Sequence, residues 1–449
     1  MAKRKMSKNT EYEKWIMLLV CLLFYLSFCL VFGVFTNTDS EGYIAMDSSR
    51  EPIYPLFLLL FRSIFPADIW MKMVILAQNI IMALAVWLFS WFLKKEFTLS
   101  LKAAYLTLLP HFGVAVLCQF AAGRGSIYSN SILTEGIALS LWIFFLYFLL
   151  KALYQYDLRF AAAALLLAAV MTDTRKQMAI AYIAVIAVLG ICWAHREEYV
   201  KRMGIVLLMA AGSVILALGI TRIYNYNLRG EFAQNTRDMN LVLTTTLYVS
   251  DREDGELIQE ETVRELFYEV YDILDKKECN YKYAGSGWRN LEAHYGAHYD
   301  MITIDTTKDL FTDYAVKNGF SEGMDAEQEA DRMSGEIVKA LFMDNLKTYG
   351  KVYMASVGNG FVNTVAKKGK VLDYYALGVY IAYIGLMILC FLQKNTRKSA
   401  LFALTVLLLV IINVGVTAAL IFCQTRYMIY NMAMVYIALF LMCYRLVNN

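Results

Sequence analysis

Long apolar runs alternate with short polar loops over most of this chain. The run from about Trp15 to Phe35 sets the pattern, since roughly 20 apolar residues at 1.5 Å rise cross a bilayer core. Repeats of that pattern predict ten membrane helices. They fall near 15–35, 71–93, 100–119, 131–150, 159–173, 177–194, 203–222, 371–392, 399–421 and 427–444. The fifth is short and rich in Ala and Leu. The apolar stretch 52–65 is too short to span and fits an interfacial or re-entrant helix, with Pro52 suited to its first turn. A long polar insertion follows the seventh helix. Within it, 256–277 sets Leu257, Val263, Leu266, Phe267, Val270 and Leu274 at near-helical spacing, whereas 281–299 reads as a looser stretch rich in Tyr and Gly.

The expected fold is an all-α integral membrane bundle of about ten helices with a mostly helical insertion. Its parts are residues 1–223, seven helices with an outer loop at 36–70; the insertion 224–350; and a three-helix region, 351–449. Composition agrees: 59% of residues are hydrophobic and 18% charged, against about 25% charged in a soluble domain. The first run is too long for a cleavable signal peptide and reads as an anchor behind Lys3, Arg4, Lys5 and Lys8.

The net charge of +3 hides a segregation. Residues 224–350 hold 25 acids and 13 basic residues, and the remainder is strongly basic. The basic residues are spread over short loops and form no single face, which argues against nucleic-acid binding. With the N-terminus cytoplasmic, the cytoplasmic loops hold Lys94, Lys95, Lys151, Arg159, Lys201, Arg202, Lys394 and Lys398, and the outer short loops hold fewer cations. The insertion and the loop after the first helix then lie outside. No disulfide framework or C-x-x-C motif emerges from the eight cysteines.

Polar clusters collect at the outer helix ends. They are Asp39, Glu41 and Tyr43 with Arg50 and Tyr54; Arg124; Glu135, one turn into the fourth helix; Asp173, Arg175 and Lys176; and Arg426-Tyr427. Singly, each also suits a solvated acid or an interface anchor. Together, at membrane depth, they suit transfer of a group from a lipid phosphate. Asp39 can take a proton from an acceptor hydroxyl, cations can hold a phosphate leaving group, and tyrosines can stack on sugar rings. His294 and His298 have helical metal-ligand spacing, but Gly296 is expected to interrupt that helix. His111, after Pro110, reads as a satisfied buried residue at a kink.

At these residues the chain resembles the GT-C class of polytopic glycosyltransferases. Asp39-Ser40-Glu41-Gly42-Tyr43, followed by Arg50-Glu51-Pro52-Ile53-Tyr54-Pro55, is similar to the acidic first outer loop of bacterial members. The resemblance implies a polyprenyl-phosphate-sugar donor, an envelope glycan, lipid or protein acceptor, and a bacterial plasma-membrane location. It assigns Asp39, Glu41 and Glu135 to catalysis. Substrate binding falls to Tyr43, Arg50, Tyr54, Arg124, Arg175, Lys176, Arg426 and Tyr427. Many relatives have adjacent acids where this chain has Asp39-Ser40-Glu41, so the role of Glu41, and with it a divalent metal ion, stays open. The competing readings are a transporter or flippase of lipid-linked glycans, which predicts pseudo-repeated halves and broken midplane helices, and an envelope scaffold.

Overall fold

A computed structural model describes residues 2–120, 126–366 and 370–448. In chain order the helices are α1 (Ala2–Phe32), α2 (Thr38–Ala45), α3 (Ile53–Ile64), α4 (Trp70–Glu96), α5 (Leu101–Leu106), α6 (Leu108–Phe120), α7 (Glu135–Gln155), α8 (Leu158–Thr172), α9 (Ile180–Trp193) and α10 (Tyr199–Arg229). Then come α11 (Asp238–Val249), α12 (Glu261–Lys276), α13 (Trp288–Ile302), α14 (Asp309–Lys317), α15 (Met324–Leu341), α16 (Leu346–Val365), α17 (Lys370–Leu392), α18 (Arg397–Leu420) and α19 (Thr425–Val447). Among the described residues, nine segments are long and apolar enough to cross a membrane. The chain is a polytopic all-α membrane protein, as the pattern predicts.

The chain forms two compact units. One comprises Met1–Ala233, Tyr374–Ile412 and Ile429–Asn449; the other comprises Gln234–Asp373 and Asn413–Met428. This division differs from the one drawn on the sequence. Helix α16, much of which was grouped with the last three membrane helices, belongs with the insertion.

Helix α8 is the short fifth segment, 15 residues or about 22 Å. Contacts at its two ends show that it runs alongside its neighbours α7, α9 and α10. At one end Arg202 Nη1 donates to the Tyr156 carbonyl at 3.0 Å, and the Tyr156 ring meets Trp193 at 4.7 Å. At the other end Arg175 pairs with Glu135 at 2.7 Å, and Thr221 donates to Asp173 at 3.3 Å. Helices α7 to α10 therefore run alternately up and down. The first end also carries the Lys94–Glu13 pair at 2.6 Å and the Lys398–Glu96 pair. It is the basic end.

The third predicted helix is broken into α5 and α6 at Thr107. Pro110 has no N–H for the carbonyl of Leu106, and its ring crowds that carbonyl. His111 is buried there, but its Nε2 has no hydrogen-bond partner among the described residues, contrary to the expectation of a satisfied histidine.

The second unit has its own apolar core. Helix α12 buries Val263, Leu266, Phe267, Val270 and Leu274 among Tyr295, Phe311 and Ile337. Leu257 instead falls in a 3-10 turn before α12 and is exposed. The stretch expected to be loose, 281–299, is a short 3-10 turn followed by the regular helix α13. Gly296 does not interrupt α13. The Phe422 ring packs against it so closely that a Cβ would meet the ring at 3.2 Å.

Candidate active site

The site starts where α1 ends at Gly33, whose φ of +61° suits glycine. Asn37 then opens α2 with a capping box: its side chain accepts the Ser40 N–H at 3.3 Å, and Ser40 Oγ accepts the Asn37 N–H at 3.0 Å. Asp39 and Glu41 occupy the first turn of α2, where the helix dipole favours acids. The helix closes at Met46, and Asp47 organises the return. Its carboxylate accepts the Ser49 N–H at 2.9 Å, and its carbonyl accepts the Arg50 N–H at 3.0 Å.

This turn lays Arg50 back along α2. Its guanidinium pairs with Asp39 at 3.2 Å and sits 4.6 Å from the centre of the Tyr43 ring. The guanidinium also crosses Gly42, where a Cβ would lie 2.9 Å from Arg50 Nε. Glycine at 42 lets the guanidinium lie this close, and a Cβ would push the flexible arginine aside. Arg50 Nε is buried and has no hydrogen-bond partner among the described residues.

Tyr43 is the centre of the cluster. Burial pushes its hydroxyl pKa up, Arg50 and Arg175 pull it down, and Glu135 and Asp39 push it up again. These five side chains, from α2, the following turn, the start of α7 and the turn after α8, therefore share one neighbourhood. Glu135 is fully buried and paired with Arg175, which also donates to Thr134 Oγ1 at 3.1 Å and, through Nε, to Gln177 at 3.2 Å. Lys176 is exposed at the start of the next turn. Glu41 is exposed on α2.

Tyr54 packs edge-on to Tyr43, with ring centres 5.3 Å apart. Its hydroxyl donates to Gln78 Oε1 at 3.0 Å, and Gln78 Nε2 donates to the carbonyls of Ser129 and Ser131 at 2.9 and 3.0 Å. Asn79 Nδ2 donates to Asn130 Oδ1 at 2.7 Å. These amides of α4 bind segment 126–134, which forms only a 3-10 turn at Tyr128–Asn130 and no α-helix before Glu135. That segment pairs with Phe35, whose N–H reaches the Asn130 carbonyl at 2.9 Å. Glu135 is therefore the first residue of α7, not one turn into a helix starting at 131. The sequence reading missed Gln78 and Asn79, although adjacent amides inside an apolar run were a visible signal. It also missed Arg229, which donates to the Met46 carbonyl and, at 2.7 Å, to Asn225 Oδ1.

Not every predicted residue joins this cluster. Arg124 lies outside the described residues. Arg426 and Tyr427 begin α19 in the second unit, where Asn413 Nδ2 donates to the Tyr427 carbonyl at 2.9 Å. Among the described residues, no three His, Cys, Asp or Glu side chains converge as a metal group. His294 Nδ1 is instead hydrogen-bonded to the Tyr248 hydroxyl at 3.0 Å. No family model, curated protein or solved structure matches the chain.

Proposed function

We propose that the chain is an inverting glycosyltransferase that moves a sugar from a polyprenyl-phosphate donor to a hydroxyl of an envelope glycan, lipid or protein. The observation that carries this reading is the half-exposed Asp39–Arg50 pair standing beside the buried Glu135–Arg175 pair at one end of a membrane bundle. A carboxylate within reach of solvent can accept the acceptor's proton. The acceptor oxygen attacks the anomeric carbon as the bond to the donor phosphate breaks, and the electron pair leaves with the phosphate. Arg50, with a donor to spare at Nε, and the exposed Lys176 suit that growing charge. Glu135 then acts by fixing Arg175, and Tyr54 by supporting Tyr43.

In this reading the protein sits in a bacterial plasma membrane with both termini and the basic end cytoplasmic. The low cation content of the opposite loops supports that orientation. Cysteine labelling of Asn240→Cys and Lys394→Cys tests it: only the first should label from outside, and the reverse result inverts the topology. The activity test is reconstitution with a polyprenyl-phosphate sugar and measurement of its consumption, wild type against Asp39→Asn.

A further inference from the structure

We propose that Arg229 and Arg62 are positioning residues: they hold the C-terminal end of α2 and so set where Asp39 stands. Their part in sugar transfer rests on the reading above; their hold on α2 does not. Helix α2 has only 8 residues, and a helix that short has little stability of its own. Its first turn is closed by the capping box at Asn37. Its last turn ends in a Schellman motif. The Asp47 N–H donates to the Gly42 carbonyl at 3.0 Å, and the Met46 N–H to the Tyr43 carbonyl at 3.3 Å. That motif puts Met46 in the left-handed region, at φ +60° and ψ +45°. Glycine is the usual residue there, because a Cβ makes the conformation costly. A methionine keeps it only where its surroundings hold it.

The hold comes from two arginines on two other elements. The motif leaves the Ile44 and Met46 carbonyls at the negative end of the helix dipole, where cations bind well. Arg62 of α3 donates through Nη1 to the Ile44 carbonyl at 3.3 Å. Arg229, the last residue of α10, donates through Nη2 to the Met46 carbonyl. Arg229 is itself aimed. Its Nη1 donates to Asn225 Oδ1 at 2.7 Å, one turn back on α10, and Asn225 Nδ2 donates to the Ala233 carbonyl at 3.0 Å. Arg62 is exposed and Arg229 half-buried, so Arg229 is the stronger hold.

Asp39 lies about two turns from this clamp on the same short helix, and Arg50 follows Met46 by four residues. Both members of the half-exposed pair are therefore tied to Met46. A shift of that residue carries the carboxylate and the guanidinium with it. A group that takes a proton in a transition state needs placement to within an ångström. The two arginines act through α2, and Asn225 acts through Arg229.

Hydrogen exchange at the Asp47 amide of the full chain in lipid nanodiscs reads the hold without any sugar. Arg229→Met should speed exchange about tenfold, as the loss of a hydrogen bond from a charged donor does. Arg62→Met should speed it about two- to fivefold. Asn225→Ala should resemble Arg229→Met and add little to it in the double variant. Arg229→Lys, which keeps the charge and a donor, should restore part of the protection. Met46→Gly should restore protection in the Arg229→Met background, because glycine adopts the left-handed conformation unaided. In transfer assays Arg229→Met should lower kcat about tenfold with the donor KM unchanged, and Arg229→Lys should recover part of that loss. Unchanged exchange in Arg229→Met, or no recovery with Met46→Gly, overturns the hold. Faster exchange with an unaltered kcat overturns the positioning role. A wild type that protects Asp47 but consumes no sugar donor removes the glycosyltransferase reading and leaves the hold on α2 standing.

Discussion

Two arginine–carboxylate pairs stand at the same end of the first unit, and depth separates their roles. Glu135 is 0% exposed and Arg175 11%, at 2.7 Å; Asp39 is 31% exposed and Arg50 27%, at 3.2 Å. A buried pair has already been stripped of water, so removing one partner strands the other charge. A half-exposed pair adds little to stability and remains free to exchange partners with a ligand. An arginine–carboxylate pair is thus a buried support in one place and, on the proposed reading, a group open to a ligand in the other.

The largest expected effect comes from Asp39→Asn. It should lower sugar transfer about 10² to 10⁴-fold, measured as donor consumption in reconstituted membranes. Its unfolding free energy should change by less than about 1 kcal/mol. Wild-type turnover in this variant would remove Asp39 from the mechanism and favour transport of lipid-linked glycans.

Glu135→Gln should show the opposite profile. Leaving Arg175 buried without its carboxylate should cost about 3 to 5 kcal/mol in denaturant unfolding. The double variant Glu135→Leu/Arg175→Met should recover most of that loss. If Glu135→Gln is as stable as the wild type, the two pairs do not differ in the way depth implies.

Gly42→Ala probes the exposed pair from behind. The added methyl would sit 2.9 Å from Arg50 Nε, so the flexible arginine must give way. Transfer should drop about tenfold, short of the loss that a full ångström of misplacement brings. Full activity would show that Arg50 need not lie over Tyr43. Smallest of all, Glu41→Gln should stay within about 0.5 kcal/mol in stability and change transfer little, because Glu41 is exposed.

Much of this architecture was legible in the sequence. Apolar runs of membrane length located most of the long helices, because a bilayer leaves helices little latitude, though α10 runs to Arg229, past its expected end at 222. The short apolar stretch after Pro52 became α3, with Pro52 at its N-cap. Breaks were harder to read. The interruption at Thr107 needed Pro110 to be weighed against a long apolar run, and the late start of α7 depends on side chains of α4 far away in sequence. Periodicity also cannot report charge pairing. Nothing local to Leu133-Thr134-Glu135-Gly136 says that Arg175 will meet Glu135, 40 residues on. Gly136 carries the same lesson: a Cβ there would fall 2.4 Å from Gln78 Oε1, a packing constraint invisible until α4 and α7 are side by side.

The brevity of α8 reaches beyond the protein. At about 22 Å it is roughly 8 Å shorter than an average hydrocarbon layer, yet its Leu166 is 55% exposed and its neighbour α10 has 31 residues. Lipids beside α8 must compress while those along α10 need not, at a fraction of a kcal/mol per ångström. The leaflets should therefore thin on the flank of the bundle that carries α8, the flank where Asp173 and Arg175 follow its last turn. Lipids with shorter acyl chains should collect there and lower the strain, so thermal stability should rise as reconstituted bilayers are made thinner. Through one short helix, stability should read the thickness of the bilayer around it.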